Sequence, residues 1–126
     1  MTQYLLDSNA LLWSALDSER LSKRARALIE SEETDIIASG VSLYELMFKA
    51  RRGKLPSSVM NLPAAIEAGG YGRLSVSDQH LAAAAILDWD HGDPWDRILV
   101  AQANLEDMRL ISIDKKLDEI SNRRVW

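Results

Sequence analysis

Hydrophobic positions along the chain follow two spacings. Short apolar runs that end in polar residues predict buried strands, and apolar residues that recur every three or four positions predict amphipathic helices. The predicted strands cover residues 3–6, 35–39, 72–76, 109–113 and 123–125. The predicted helices cover residues 10–16, 22–33, 41–52, 63–68, 78–87, 94–105 and 115–120. Strands that alternate with helices are typical of an α/β fold, in which helices cover both faces of a parallel sheet.

Length and composition agree with one such unit. The chain has 126 residues, which is a common size for one domain, and we expect a single domain over residues 1–126. Hydrophobic residues make up 47% and charged residues 27%, enough for an ordinary core. There is no cysteine, which excludes disulfides, thiolate zinc sites and cysteine nucleophiles. We see no membrane-spanning run and no secretory signal, and we therefore expect a cytoplasmic protein with no membrane partner.

The net charge of −4 is opposite to that of most nucleic-acid-binding domains. It argues against a protein that wraps DNA or RNA through a broad basic surface. It is compatible with an enzyme that meets phosphate groups through bound divalent cations, since an acidic site needs those cations.

Four acidic residues fall where a parallel sheet builds its sites. Asp7 follows the first predicted strand, and Asp114 ends the strand at 109–113. Glu45 lies in the predicted first turn of the helix after the second strand, and Asp96 lies in the first turn of the helix at 94–105. Because ligands bind at the carboxyl ends of parallel strands, we expect these acids to meet at one edge of the sheet.

Each acid also has a purely structural interpretation. Ser42 and Glu45 have the spacing of a capping box, and Asp93 before Pro94 is typical of a helix N-cap. Asp7 and Asp114 could likewise cap the helices that follow them. Clustered carboxylates raise one another's pKa unless a cation is present, so the set of four also indicates a possible metal site. Hard oxygen ligands suit Mg²⁺ or Mn²⁺.

Four segments together resemble the PIN-domain ribonucleases, particularly the VapC-like toxins of bacterial toxin–antitoxin pairs. They are YLLDSNALLW at 4–13, VSLYEL at 41–46, HGDPWDRILVAQA at 91–103 and LISID at 110–114. The resemblance implies a three-layer α/β/α sandwich with a central, mostly parallel sheet. It also implies an Mg²⁺- or Mn²⁺-dependent endoribonuclease that attacks RNA with a metal-activated water, and that forms a homodimer and is neutralised by a cognate antitoxin.

The same resemblance assigns roles to the acids. Asp7 and Asp96 are implied as metal ligands, and Glu45 and Asp114 complete a catalytic quartet with them. Asp118 is an alternative to Asp114 as the fourth acid. Asn9 stands where a haloacid-dehalogenase-type phosphatase needs a second aspartate, which argues against that class of enzyme.

Other residues receive structural interpretations. We expect His80 on the exposed side of its helix and His91 to order the loop before Asp96. Lys49 belongs to a basic group in the helix at 41–52, which could contact RNA phosphates but which we interpret as a solvated face. The alternative to a nuclease is a protein-interaction module that keeps the same fold with a catalytically weak site.

Overall fold

Five strands form one parallel sheet in the order β3-β2-β1-β4-β5. The computed structural model describes all 126 residues. The strands are β1 (Thr2–Leu6), β2 (Thr34–Ser39), β3 (Gly72–Leu74), β4 (Arg109–Ile111) and β5 (Arg124–Val125). The predicted parallel sheet is confirmed, and every pair of neighbouring strands is parallel.

Six α-helices connect the strands. They are α1 (Ser8–Ala15), α2 (Lys23–Glu30), α3 (Gly40–Arg51), α4 (Leu62–Ala68), α5 (Asp78–Ala85) and α6 (Pro94–Leu105). Two short 3₁₀ helices cover Ser57–Asn61 and Lys115–Glu119. Each predicted helix and strand is present, although α2 ends three residues before its predicted end and β3 and β4 each end two residues before theirs. The hydroxyl of Thr34, the first residue of β2, donates to the carbonyl of Leu28 and so provides a hydrogen bond to a carbonyl in the last turn of α2.

The central strand β1 faces two hydrophobic clusters, because successive residues of a strand point to opposite faces. Leu6 packs in the larger cluster with Leu11 of α1 and Leu46 of α3. Leu5 packs in the second cluster with Leu99 of α6. Both leucines of β1 are fully buried. The molecule is therefore a three-layer α/β/α sandwich, as predicted.

One polar residue is placed differently from its prediction. His80 is only 2% exposed, so the prediction that it lies on the exposed side of its helix is wrong. Its Nδ1 accepts the backbone N–H of Ser77 at 3.0 Å, and the Ser77 hydroxyl accepts the backbone N–H of His80. The imidazole therefore completes the cap of α5, and its Nε2 lies 3.0 Å from Glu106 Oε1.

The register of the sheet brings two strand ends together beside β1. Leu6 pairs with Ala38 on β2 and with Ile111 on β4. The residue after Leu6 is Asp7, and its backbone N–H donates to the carbonyl of Ile111 at 3.1 Å. The carboxyl ends of three adjacent strands thus open onto one edge of the sheet. No helix of the molecule has the length and hydropathy that crossing a membrane requires.

Candidate metal centre

Asp7 is both a helix cap and a member of the candidate site. It is the N-cap of α1, and its Oδ1 accepts the backbone N–H of Ala10 at 2.8 Å. The side chain is buried, with the residue 7% exposed. The cap uses one carboxylate oxygen, so the second oxygen can serve the site. The capping and the functional interpretations of Asp7 are therefore compatible.

Glu45 is placed by α3, but not through the predicted capping box. Ser39 is the N-cap of α3, so Ser42 lies inside the first turn and Glu45 lies in the second turn. The capping-box prediction is wrong because α3 begins earlier than its sequence pattern indicates. Instead, the hydroxyl of Ser8 donates to Glu45 Oε1 at 2.6 Å, and Lys49 Nζ donates to Oε2 at 2.6 Å. Both oxygens of Glu45 are thus held.

The start of α6 supplies Asp96 together with two neighbours. Asp93 is the N-cap of α6, as predicted, and its Oδ1 accepts the backbone N–H of Trp95 at 2.9 Å. His91 Nε2 lies 2.8 Å from Asp96 Oδ2. One side-chain ligand atom from each of His91, Asp93 and Asp96 lies within 4.8 Å of the other two. This segment therefore presents a nitrogen and two carboxylates together.

Asp114 and Asp118 have different surroundings. Asp114 follows β4 and caps a 3₁₀ helix, with its Oδ1 accepting the backbone N–H of Lys116 at 3.0 Å. Asp118 instead accepts two hydrogen bonds from the guanidinium of Arg124, at 2.9 and 3.0 Å. Arg124 neutralises Asp118, and Asp118 does not line the cleft described next. Of the two alternatives, Asp114 is the acid that joins the cluster.

All four predicted site acids line one cleft at the carboxyl edge of the sheet. The cleft has a volume of about 270 Å³, and no hydrophobic residue lines it. Its lining consists of Asp7, Ser8, Asn9, Glu45, Lys49, His91, Asp93, Asp96 and Asp114. The convergence expected from the strand ends is therefore present.

The cleft destabilises its own negative charges. Burial raises the pKa of Asp7 from 3.8 to about 6, and the charges of Asp96 and Asp114 add to that rise, while hydrogen bonds from Ser112 and Ala10 oppose it. Burial also raises the pKa of Asp96, against the lowering effect of its hydrogen bond to His91. A cation in the cleft would reverse both effects, because it favours the ionised carboxylates.

The donor set fits a hard divalent cation. Five carboxylates line the cleft, and a small cation such as Mg²⁺ or Mn²⁺ is held by a few carboxylates together with water and substrate phosphate. The protein's own cation in the cleft is Lys49, whose side chain is 45% exposed and is paired with Glu45. One ammonium does not balance five carboxylates. The residues present therefore fit a bound divalent ion.

The sequence interpretation missed three contributors to the cleft. Lys49 was interpreted as part of a solvated face, although its spacing of four residues from Glu45 is the signal for an ion pair on one side of a helix. His91 contacts Asp96 directly rather than only ordering its loop. Ser8 connects α1 to Glu45, and no local pattern in the sequence indicates that contact.

The parallel α/β/α sandwich with a cleft of carboxylates at its strand ends defines a class of protein, the α/β folds with an acidic site at the carboxyl edge of the sheet. A sequence profile of the PIN domain matches residues 4–122. The chain therefore belongs to the PIN-domain family, as its motifs indicated.

Three known proteins illustrate the likeness. Ribonuclease VapC22 of Mycobacterium tuberculosis is 28% identical over 119 residues, which cover 93% of this chain and 91% of that protein. A chain of VapBC2 from Rickettsia felis, solved with a DNA fragment from their promoter, superposes with a TM-score of 0.76 at 15% identity, covering 99% of this chain and 98% of that one. VapC20 of M. tuberculosis, a sarcin-ricin loop cleaving toxin, gives a TM-score of 0.66 at 15% identity, covering 92% and 93%. The two structural likenesses show a shared fold.

Proposed function

We propose that this protein is a metal-dependent endoribonuclease of the VapC-like toxin type, neutralised by a cognate antitoxin. The observation that carries the proposal is the convergence of Asp7, Glu45, Asp96 and Asp114 in one cleft without hydrophobic lining. Family membership and the similarity to Ribonuclease VapC22 support RNA as the substrate.

In this proposal Asp7 and Asp96 hold the ion, which is Mg²⁺ or Mn²⁺, and Glu45 and Asp114 complete the site. When bound, such an ion lowers the pKa of a water and offsets negative charge at the scissile phosphate. Burial raises the pKa of Asp7 to about 6, and only the ionised carboxylate binds a cation. Ion binding therefore competes with protonation of Asp7.

The surroundings of Glu45 support an orienting role for it. Ser8 and Lys49 each hold one of its oxygens, so the carboxylate has a fixed direction across the cleft. A fixed carboxylate can accept a hydrogen bond from a water beside the phosphate and orient it for attack. Lys49, partly exposed at the edge of the cleft, is then placed to contact a phosphate oxygen of the RNA.

The protein partners are also part of the proposal. The structural neighbour from R. felis belongs to a VapBC assembly, which supports an antitoxin partner for this chain. We infer that the antitoxin lays a short segment across the acidic cleft and offers a positive side chain to its carboxylates. We also propose a homodimer, on the basis of family membership.

The test is cleavage of structured RNAs by purified, antitoxin-free protein in Mg²⁺ or Mn²⁺, with and without a chelator. We expect metal-dependent cutting by the wild type and its loss in Asp7→Asn and Asp96→Asn. Asp118→Asn is the matched control, because it removes an aspartate that lies outside the cleft and pairs with Arg124.

Two outcomes would contradict this proposal. Equal cutting by all variants would exclude the assigned acids. Tight metal binding by the wild type without any RNA cleavage would instead support the alternative, a catalytically weak interaction module with the same fold.

A further inference from the structure

We propose that His91 is a direct nitrogen ligand of the metal ion, and that it makes the site prefer Mn²⁺ or another nitrogen-binding divalent ion over Mg²⁺. This inference rests on the proposed function for the existence of the ion. It goes beyond that function by adding a ligand that is not one of the four acids, and by selecting among metals.

The first support is the placement of three donors. His91 Nε2 and Asp96 Oδ2 are 2.8 Å apart, and both lie with a carboxylate oxygen of Asp93 inside a 4.8 Å group. Neighbouring ligands on one octahedral ion with bonds of about 2.1 Å are themselves about 3.0 Å apart. The separation of Nε2 and Oδ2 is close to that value, so the two atoms are spaced as two ligands of one ion, which would replace their hydrogen bond once the imidazole turns toward it.

The second support is the way in which the imidazole is held. The ring of His91 packs on Trp89, with centroids 4.8 Å apart. The indole N–H of Trp89 donates to Glu119 Oε1, which fixes the indole in turn. A donor whose ring is fixed by packing loses little side-chain freedom when it binds an ion.

The third support is Arg97, which follows Asp96 on α6. Its guanidinium has no carboxylate partner and donates instead to backbone carbonyls, two hydrogen bonds going to Ala84 and one each to Leu87, Trp89 and His91. These bonds tie the end of α5 and the loop before α6 to the helix that carries Asp96. Arg97 is therefore a positioning residue, which fixes the backbone of His91 relative to Asp96.

A structural role for His91 as a hydrogen-bond partner of Asp96 is the competing interpretation. The two roles differ in the metals they favour. An imidazole that only orients Asp96 leaves an all-oxygen site, which suits Mg²⁺ well. An imidazole on the ion favours Mn²⁺ and later transition metals, because nitrogen ligands bind these ions better than they bind Mg²⁺.

The decisive measurement is electron spin echo spectroscopy of the Mn²⁺-loaded protein. A directly bound histidine gives a ¹⁴N modulation of the Mn²⁺ signal, which changes to the ¹⁵N pattern in protein grown with ¹⁵N-histidine. The chain has only two histidines, and the other, His80, is buried against Glu106. We expect the ¹⁴N modulation in the wild type and its loss in His91→Gln. Absence of the modulation in Mn²⁺-loaded wild type, or its persistence in His91→Gln, would overturn the inference.

Metal affinities give a second readout, with Asp90→Asn as the control because Asp90 is an exposed acid in the same loop. We expect His91→Gln to weaken Mn²⁺ binding by about 10-fold or more and Mg²⁺ binding by much less. Equal weakening of both metals would overturn the preference. Circular dichroism checks that the variants fold, and the isotope comparison in the wild type needs no variant. RNA cleavage is measured separately, so nitrogen ligation without cleavage contradicts only the nuclease proposal, and cleavage without ligation contradicts only this inference.

Discussion

Replacement of Asp7 by asparagine is expected to stabilise the metal-free protein while removing its response to metal. The carboxylate is buried, and its pKa is raised from 3.8 to about 6. Asparagine has nearly the same shape and keeps a carbonyl oxygen that can accept the N–H of Ala10. Asp7→Asn therefore removes the buried charge with little change in packing.

The size of the effect follows from the rise in pKa. One pKa unit corresponds to about 1.4 kcal/mol, so the difference between 3.8 and about 6 corresponds to about 3 kcal/mol. A raised folded-state pKa means that the folded protein binds the proton more tightly than the unfolded chain does. The contribution of Asp7 to stability is thus greatest below about pH 4 and decreases as the pH rises toward about 6. Above about pH 7 this stabilising contribution is fully lost, and it no longer changes with pH.

The assay is urea unfolding of the wild type and of Asp7→Asn in chelator, at intervals from pH 4 to pH 8. We expect the variant to gain about 3 kcal/mol over the wild type between pH 4 and pH 7. Mn²⁺ at pH 7 is then expected to stabilise the wild type and to have a much weaker effect on the variant, because only the wild type keeps both of the ligands that we propose, Asp7 and Asp96.

Asp118→Asn is the control for the direction of the pH dependence. In the wild type, hydrogen bonds from Arg124 lower the pKa of Asp118. The stabilising contribution of Asp118 is therefore present near neutral pH and is lost as the pH falls through that lowered value. A stability difference between Asp7→Asn and the wild type that stays constant from pH 4 to pH 8 would refute the argument that Asp7 is buried at a cost. A difference that shrinks as the pH rises would also refute it.

Three further changes test other parts of the structure. Asp96→Asn is expected to reduce the initial rate of RNA cleavage in Mn²⁺ by more than about 100-fold. The loss should exceed the roughly 10- to 100-fold effect that is typical of residues that only support a metal ligand. A rate within about twofold of the wild type would contradict the role of Asp96 as a ligand. Arg97→Met is expected to lower the free energy of unfolding by about 2–4 kcal/mol, since it leaves several backbone carbonyls without a donor, and urea melts in chelator measure it. Ser39→Ala is expected to lower the free energy of unfolding by about 1–3 kcal/mol in the same urea melts. Ser39 is fully buried, caps α3 and donates a hydrogen bond to Gln102 at 2.6 Å. An unchanged urea midpoint would show that the cap contributes nothing.

Local sequence signals were sufficient for the elements and for most of the acids in the cleft. Apolar runs at β1 and β4 are short and continuous because parallel strands are buried on both faces, and this pattern is visible without coordinates. Asp7 follows β1 directly and Asp114 comes three residues after the end of β4, so the rule for parallel sheets placed them at one edge. The Asp93-Pro94 pair marked the start of α6 correctly, since proline is favoured at the first helical position.

The sequence determined less well where a helix begins when two residues can each act as its N-cap. Ser39 and Ser42 can both cap a helix, and the chain uses Ser39 because β2 ends there and the hydroxyl of Ser39 also binds Gln102, 63 residues away. That partner belongs to α6 and has no signature near Ser39. The exposed position predicted for His80 was wrong for the same reason, because α6 covers α5 and its C-cap residue, Glu106, is the partner of His80.

The sequence by itself determined the parallel α/β architecture, the family and three of the four proposed site acids, because each rests on hydrophobic spacing or on motifs a few residues long. Only the tertiary structure decided how those acids are held. It paired Glu45 with Ser8 and Lys49, joined His91 to Asp96, and removed Asp118 from the cluster by giving it Arg124. The charge state of the cleft, and the metal preference that we propose for it, depend on such side-chain contacts, which form between separate elements and follow from how the helices pack on the sheet.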